Sequence, residues 1–432
     1  MPIKRIVFAG VKELVWDWEV YHDPSAENLP DPNGKKSVCT FDNPFNPWRN
    51  VNGEVFVIAA NIVNYRVPLD SSLRPLRVLN QGDIIFHSGR TYPHPNRPGR
   101  YYHRGFGNNL VAGSCVEADY DHNFWVFSPW TTDGYTFSAL CHHEFYPGFC
   151  PDATTEHWIN TIHQMYSFDG GQTFLPQPFH PYQDNGGYSN SWRTVLIPEP
   201  SDKRPWPQNT NYGFYHPSNI VREGDYCYAL CTASNWLGRT FHNDGINCWN
   251  EGGFAMIRTR HPGHPRSWEV FTSTGWATID ANTWQGWHIS GVGGQEIKLW
   301  HREEYCPYEN PPPTKGQLLG LRLVYHQRAQ QWIALGYANQ GTRTVCYTLS
   351  DSLASPNWEK HGISIVRDGR KGQHVVLNMN NYPSIVDPTS GDYVFQFTGI
   401  NPFLYFIEDN SPSQRTNLHS RSVWRVPLQI VA

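Results

Sequence analysis

One hairpin pattern recurs five times along this chain, and repetition at a fixed period constrains the fold more than any single motif. Each copy is a short apolar strand, a polar turn, then a second strand of aromatic and β-branched residues. The copies are residues 45–60, 123–140, 215–230, 320–335 and 382–397. The turns carry Gly53, Gly134, Gly224 and Gly391, with Gln330 in the fourth, and successive turns lie about 60 to 110 residues apart. Three hairpins are followed by a second element, a strand and a loop ending in an aromatic residue that opens the next strand: residues 166–174, 257–268 and 347–358. Two hairpins in succession make a four-stranded antiparallel sheet, and such sheets repeated along a chain are propeller blades. The expectation is an all-β fold, a β-propeller of five four-stranded antiparallel blades, forming one domain over residues 1–432. The final strand, residues 422–431, is expected to close the ring by pairing with the N-terminal region. Residues 66–120 and 270–318 leave room for a sixth or seventh blade.

Composition agrees with this and narrows the function. Charged residues are 17% of the 432 and aromatic residues 15%, with 18 Trp. Disordered chains have few aromatics and high net charge, and helical bundles are rich in Ala, Glu, Lys and Leu. A net charge of −4 argues against nucleic acid, whose affinity comes mainly from Lys and Arg neutralising phosphates. There is no apolar run of about 18 residues, so no membrane span is expected. The apolar stretch 6–11 is too short for a signal-peptide core. That predicts a cytosolic protein, or a secreted one whose leader was removed. Among nine cysteines there is no Cys-x-x-Cys pair. Cys227 and Cys231 lie about 13 Å apart along a strand, beyond disulfide reach. Cys141 with Cys150, or Cys231 with Cys248, remain as possible bridges beside the reading of buried free thiols.

In a propeller the first strand of each blade lines a central funnel, and ligands bind at its mouth. Polar residues on or just before those strands are the site candidates: Asp42, Trp48 and Arg49 in blade 1; Tyr215, His216 and Asn219 in blade 3; Tyr325 and His326 in blade 4; Asn378, Asn380, Asn381 and Tyr382 in blade 5. Blade 2 adds the run His142-His143-Glu144 on its next strand. Strand alternation places His142 and Glu144 on one face and His143 on the other. A carboxyl and an imidazole on one face suit general acid–base work. Glycosidic hydrolysis needs two carboxyl groups, one ionised and one protonated. Asp42 and Glu144 are the candidate pair, with His142 or His143 tuning the acid and Arg49 holding Asp42. Trp48, Arg49, Tyr215, His216, Asn219 and Asn381 are the candidate sugar-binding residues. The surplus of Trp alongside Asn and His favours carbohydrate as ligand.

No metal is expected in the site, because His94, His103, His261 and His264 lack a third ligand at diagnostic spacing. No cofactor is expected, although Asp17, Glu19 and Asp23 leave a structural calcium open.

The stretch Ser167-Phe-Asp-Gly-Gly-Gln-Thr-Phe174 resembles the Asp-box of sialidases and related propellers. Its physics is that of a turn: Asp169 is placed to accept from turn amides, Gly171 to take a positive φ, and Phe174 to pack between sheets. Through this box and the segments around Asp42, residues 139–146, 217–228 and 381–385, the chain resembles sialidase-like and glycosidase-like propellers. It is also similar to the five-bladed arabinanase- and fructosidase-type hydrolases. That resemblance implies a carboxylate early in blade 1 and an acid in a later blade, which Asp42 and Glu144 match. The chain lacks the early Arg-Ile-Pro motif and the arginine triad of sialidases, so sialic acid is not the expected sugar. Two rivals stand beside hydrolysis: β-elimination by a polysaccharide lyase using His143, Tyr215, His216 and Arg49, and glycan binding without catalysis.

Overall fold

The computed structural model describes residues 1–21, 41–60, 63–87, 92–93, 101–103, 123–145, 158–176, 194–196, 211–234, 252–264, 267–278, 297–298, 300–301, 318–338, 345–358, 363–364, 366–367, 379–409 and 421–432. They form a five-bladed β-propeller. Blade 1 runs outward through Trp48–Arg49, Val55–Ala60, Val63–Leu69 and Ile84–His87. Blade 2 is built on Asn123–Trp130, Phe137–Phe145 and Trp158–Ser167, with Leu175–Pro176 and Thr194–Leu196 outside them. Blade 3 uses Val221–Glu223, Tyr226–Ser234, Gly252–Thr259 and Glu269–Thr272. Blade 4 uses Leu318–His326, Gln331–Ala338, Val345–Ser350 and Ile363–Ser364. Blade 5 uses Met379–Val386, Phe403–Asp409 and Arg421–Val431, and its outer strand is Arg5–Phe8 from the start of the chain. Arg5 pairs with Val431 and Phe8 with Leu428, antiparallel.

The first turns follow the sequence pattern. Gly53, Gly134, Gly224 and Gln330 all turn with positive φ. The fifth hairpin differs from expectation. Met379–Val386 pairs with Phe403–Asp409, not with residues 392–397. Asp387 redirects the chain: its carboxylate accepts from Thr389 N (2.9 Å) and Gly399 N (2.7 Å), closing a loop between them. Within that loop Phe397–Thr398 pairs in parallel with Tyr325–His326 of blade 4. Tyr393 O accepts from Arg49 N of blade 1. An alternating run that reads as a blade strand is instead a tether between blades.

The core lies between successive sheets, where buried aromatic and aliphatic side chains form continuous clusters. Blades are held to one another by buried polar latches. Asn64 of blade 1 grips blade 2, donating to Phe124 O and accepting from Val126 N. Ser128 of blade 2 donates to Ser218 O of blade 3. Asn219 of blade 3 donates to Leu323 O and accepts from Leu323 N of blade 4, both at 2.8 Å. Arg322 of blade 4 spans the axis. It donates to Ile385 O of blade 5 (2.7 Å), to Asn46 Oδ1 of blade 1 (2.5 Å) and to Phe395 O (2.9 Å). Asn46 in turn donates to Phe127 O of blade 2. Burial holds the Arg322 guanidinium down to about 9, so it stays charged at neutral pH.

The Asp-box adopts the turn its sequence implies. Asp169 Oδ1 accepts from Gln172 N and Thr173 N, Gly171 has φ +79°, and Phe174 is fully buried against Phe137. Cys227 and Cys231 are buried free thiols, which excludes the Cys231–Cys248 bridge. Cys248 and Cys150 lie outside the described residues. Among the described residues no helix is long and apolar enough to cross a membrane.

Candidate functional site

All five inner strands run in the same direction, so their leading ends meet at one end of the ring. Four blades place side chains there. Asp42 leads into the inner strand of blade 1, its N–H donating to Ala60 O. Trp125 and Phe127 come from the inner strand of blade 2, with His142 and Asn160 from its second and third strands. His216 precedes the inner strand of blade 3. Blade 5 supplies Tyr382 from its inner strand and Arg421 from the start of its third.

Arg421, Asp42, Tyr382 and His216 form one hydrogen-bonded chain, and His142 pairs with Asn160 beside it. Arg421 Nη1 donates to Asp42 Oδ1. Tyr382 Oη donates to the same oxygen at 3.1 Å and lies 3.2 Å from His216 Nε2. Asp42 Oδ2 takes no hydrogen bond among the described residues, and the side chain is 21% exposed. His142 Nε2 is 2.7 Å from Asn160 Oδ1. Phe127 stacks on His216 and meets His142 and Tyr382 edge to face, while Trp125 stacks on His142.

The electrostatics divide the site. Burial pushes His142 down to about 4, against the pull of Asn160 and Asp42 in the other direction. Burial, then the neighbouring His142, hold His216 well below the usual imidazole range. Both rings are neutral at neutral pH. One assignment of protons then satisfies the chain: His216 Nε2–H donates to Tyr382, Tyr382 donates to Asp42, and His142 Nε2–H donates to Asn160. Among the described residues of this cluster the ion pair is Asp42 with Arg421.

His216 (φ 49°) and Tyr382 (φ 62°) both hold left-handed backbone. Residues with a Cβ seldom adopt it, and such strain concentrates where function fixes a side chain.

The structure thus brings Asp42, His142, His216 and Tyr382 together, and places His143, Trp48, Arg49, Asn219, Tyr325 and His326 elsewhere. His143 points to the opposite face of its strand, as alternation requires. There it stacks on Phe124, with Nδ1 3.1 Å from His163 Nε2, in the interface of blades 1 and 2. Trp48 is fully buried between Phe56 and Phe137 and belongs to the core. Arg49 does not reach Asp42: seven residues of extended chain put it roughly 20 Å away. Its guanidinium instead donates to Asp392 O and Ser390 O at the other end of the ring. Asn219 spends both side-chain functions on the latch to Leu323. Tyr325 and His326 end the inner strand of blade 4, far from the mouth.

Glu144 lies on the strand Phe137–Phe145 with its backbone opposite Asn160 and Asn123, which places that backbone at the edge of the mouth. Its side chain, with those of Tyr215 and Asn381, lies outside the described residues, as do Asn378 and Asp23. Asn380 is described as backbone only. Among the described residues no three His, Cys, Asp or Glu side chains converge to hold a metal.

Sequence reasoning missed Arg421 and Asn160 as members of the site. Asn160 was within reach, because it faces His142 one register step away on the neighbouring strand. Nothing local marks Arg421, 379 residues from its partner.

No protein-family model matches the sequence, and no curated protein matches it. Solved structures resemble the fold at a distance. One is a GH43_1 enzyme from Xanthomonas citri, with a TM-score of 0.42 at 12% identity over 90% of this chain and 88% of that one. Another is an N-acetylgalactosamine deacetylase from F. plautii in complex with blood group B trisaccharide, with a TM-score of 0.41 at 9% identity over 98% and 95%. A third is a putative hydrolase from Bacteroides ovatus, with a TM-score of 0.40 at 10% identity over 89% and 85%. At these levels the chemistry has to be read from the side chains themselves.

Proposed function

We propose that this protein is a glycoside hydrolase whose site is the mouth of the propeller, with Asp42 as the ionised carboxylate. The observation that carries this is the state of that carboxylate. Arg421 and Tyr382 fix Oδ1, while Oδ2 is left to an incoming group. A carboxylate held this way serves as a nucleophile or as the base that activates water. Glu144 is the proposed acid, its backbone one strand from Asn160. Tyr215, His216 and Asn381 are the proposed sugar-positioning residues. The reaction as proposed uses carboxyl groups and water, with no cofactor.

One observation favours a second reading. Tyr382 and His216 form a hydroxyl–imidazole pair beside an arginine, a set that also serves β-elimination from a uronate. There Tyr382 is the base and Arg421 neutralises the uronate carboxylate.

The test is product formation from neutral and uronate-containing polysaccharides by wild type, Asp42→Asn and Glu144→Gln. Hydrolysis gives new reducing ends with no rise in near-UV absorbance, and each substitution lowers the rate by about 10³-fold. Absorbance rising with the reducing ends replaces hydrolysis by elimination. Reducing ends that persist undiminished in Asp42→Asn remove that residue from the mechanism.

A further inference from the structure

At the end of the ring opposite the mouth, a cleft of about 570 Å³ lies between blade 1 and the Asp-box turn. Its walls include Glu54, Arg66, Arg77, Tyr135 and Gln172. The volume suits a ligand of a few sugar rings.

The two arginines in it differ. Arg77 is fully engaged, forming a two-pronged pair with Asp83 at 2.7 and 2.6 Å. Arg66 lies flat over the ring of Phe56, 4.6 Å from its centre. Among the described residues its guanidinium makes no hydrogen bond and no ion pair. The nearby acids are taken: Asp83 by Arg77, and Asp169 by the amides and hydroxyls of its own turn. Glu54 is exposed and accepts from Asn50 through Oε2, with no hydrogen bond to Oε1 among the described residues. The cleft therefore offers a planar fork of donors, already partly dehydrated, and one carboxylate acceptor. Tyr135, 52% exposed, stands at its rim, and Phe168, 60% exposed, projects from the adjoining Asp-box turn.

A planar donor fork, a carboxylate and an exposed ring are what a sugar needs. Its neighbouring hydroxyls accept from the guanidinium and donate to the carboxylate, and its C–H face lies on the aromatic ring. The charge of Arg66 is balanced by Glu54 and Asp169, which favours a neutral ligand over an anion. We propose that this cleft is a second glycan-binding site, taking a neutral oligosaccharide and remote from the catalytic mouth. The class of ligand rests on the glycan reading above; the location rests on Arg66.

The test uses calorimetric titration of Asp42→Asn protein, which retains its ligands uncleaved, with soluble neutral hexasaccharides of glucose, xylose, arabinose and galactose. For at least one sugar the expected stoichiometry is two sites per chain. Adding Arg66→Gln should weaken one of the two about tenfold, the scale of a hydrogen bond to a charged donor. Tyr135→Ala, at an exposed position, should do the same and decides the matter should Arg66→Gln unfold early. A parent that binds none of the sugars overturns the proposal, as does binding that is unchanged in both variants. Wild-type cleavage of the same sugars separates the two readings. Cleavage with a single binding site sinks the second site alone, whereas Arg66-dependent binding without cleavage sinks the hydrolase alone.

Discussion

Tyr382 and His216 hold a backbone conformation that costs roughly 1–3 kcal/mol each, and each directs its side chain at the other. The strain is consistent with a hydroxyl that has to stand at one place beside Asp42. Tyr382→Phe removes that hydroxyl and keeps the ring against Phe127. On the hydrolase reading kcat should fall about 10- to 100-fold with little change in KM, measured on the substrate the product assay identifies. His142 supplies a prediction on stability. Its pKa is depressed to about 4 in the folded protein, so the unfolded chain binds more protons between about pH 6.5 and 4. Stability is then complete above pH 6.5 and falls as the pH drops toward 4, by on the order of 3 kcal/mol from this residue. Urea unfolding midpoints across that window should drop in wild type and drop less in His142→Gln. The residue scale is also where the sequence is least legible. Asp42 and His216 were visible because each leads into an inner strand, and His142 because it lies in a run of ionisable residues at the end of the next strand. Trp48 and Arg49 looked equivalent, but strand length carries them to the other end of the ring. Arg421 was invisible because pairing between the last blade and the first is a property of the closed ring.

The Asp-box was legible down to its hydrogen bonds, because a turn stabilised by its own side chains depends little on its surroundings. What the sequence did not reveal is its lock on Trp48. A Cβ on Gly171 would stand 2.3 Å from the Trp48 ring, so the indole occupies the space a side chain would need. Gly170 has nearly the same φ, +74° against +79°, with nothing within 4 Å of its virtual Cβ. The pair makes a controlled comparison. Gly170→Ala should cost about 1 kcal/mol, from backbone conformation alone. Gly171→Ala should cost roughly 2–4 kcal/mol, because the core has to move as well. Denaturant unfolding of both variants isolates the packing of Trp48 from the turn. The fifth hairpin shows the opposite limit. Its second segment has the alternation and aromatics of a strand and does pair, yet its partner is blade 4. Alternation says that a segment extends between neighbours; it does not say which neighbours.

Five blades were countable because four of the inner hairpins use local contacts and one turn, and the period survives the long connections between sheets. Ring closure then depends on contacts distant in sequence. Asn64, Ser128, Asn219 and Arg322 each bind one blade to the next, replacing water on buried backbone groups. Arg322 is the most exacting of them, since its one guanidinium serves Asn46, Ile385 and Phe395. Arg322→Ala strands three buried acceptors and should cost roughly 3–5 kcal/mol. Lysine, a point charge, cannot serve three acceptors in one plane and should not rescue it. Melting curves of both variants check this. The same guanidinium is fully buried and ties blade 4 to blades 5 and 1, so on the hydrolase reading the funnel should end in a floor. A glycan should then enter and leave by the same opening, its end dipping in and backing out with nothing threaded through. A ligand held at the floor therefore blocks the next arrival, so product should compete directly with substrate, and branches near a chain end should matter more than the length behind it.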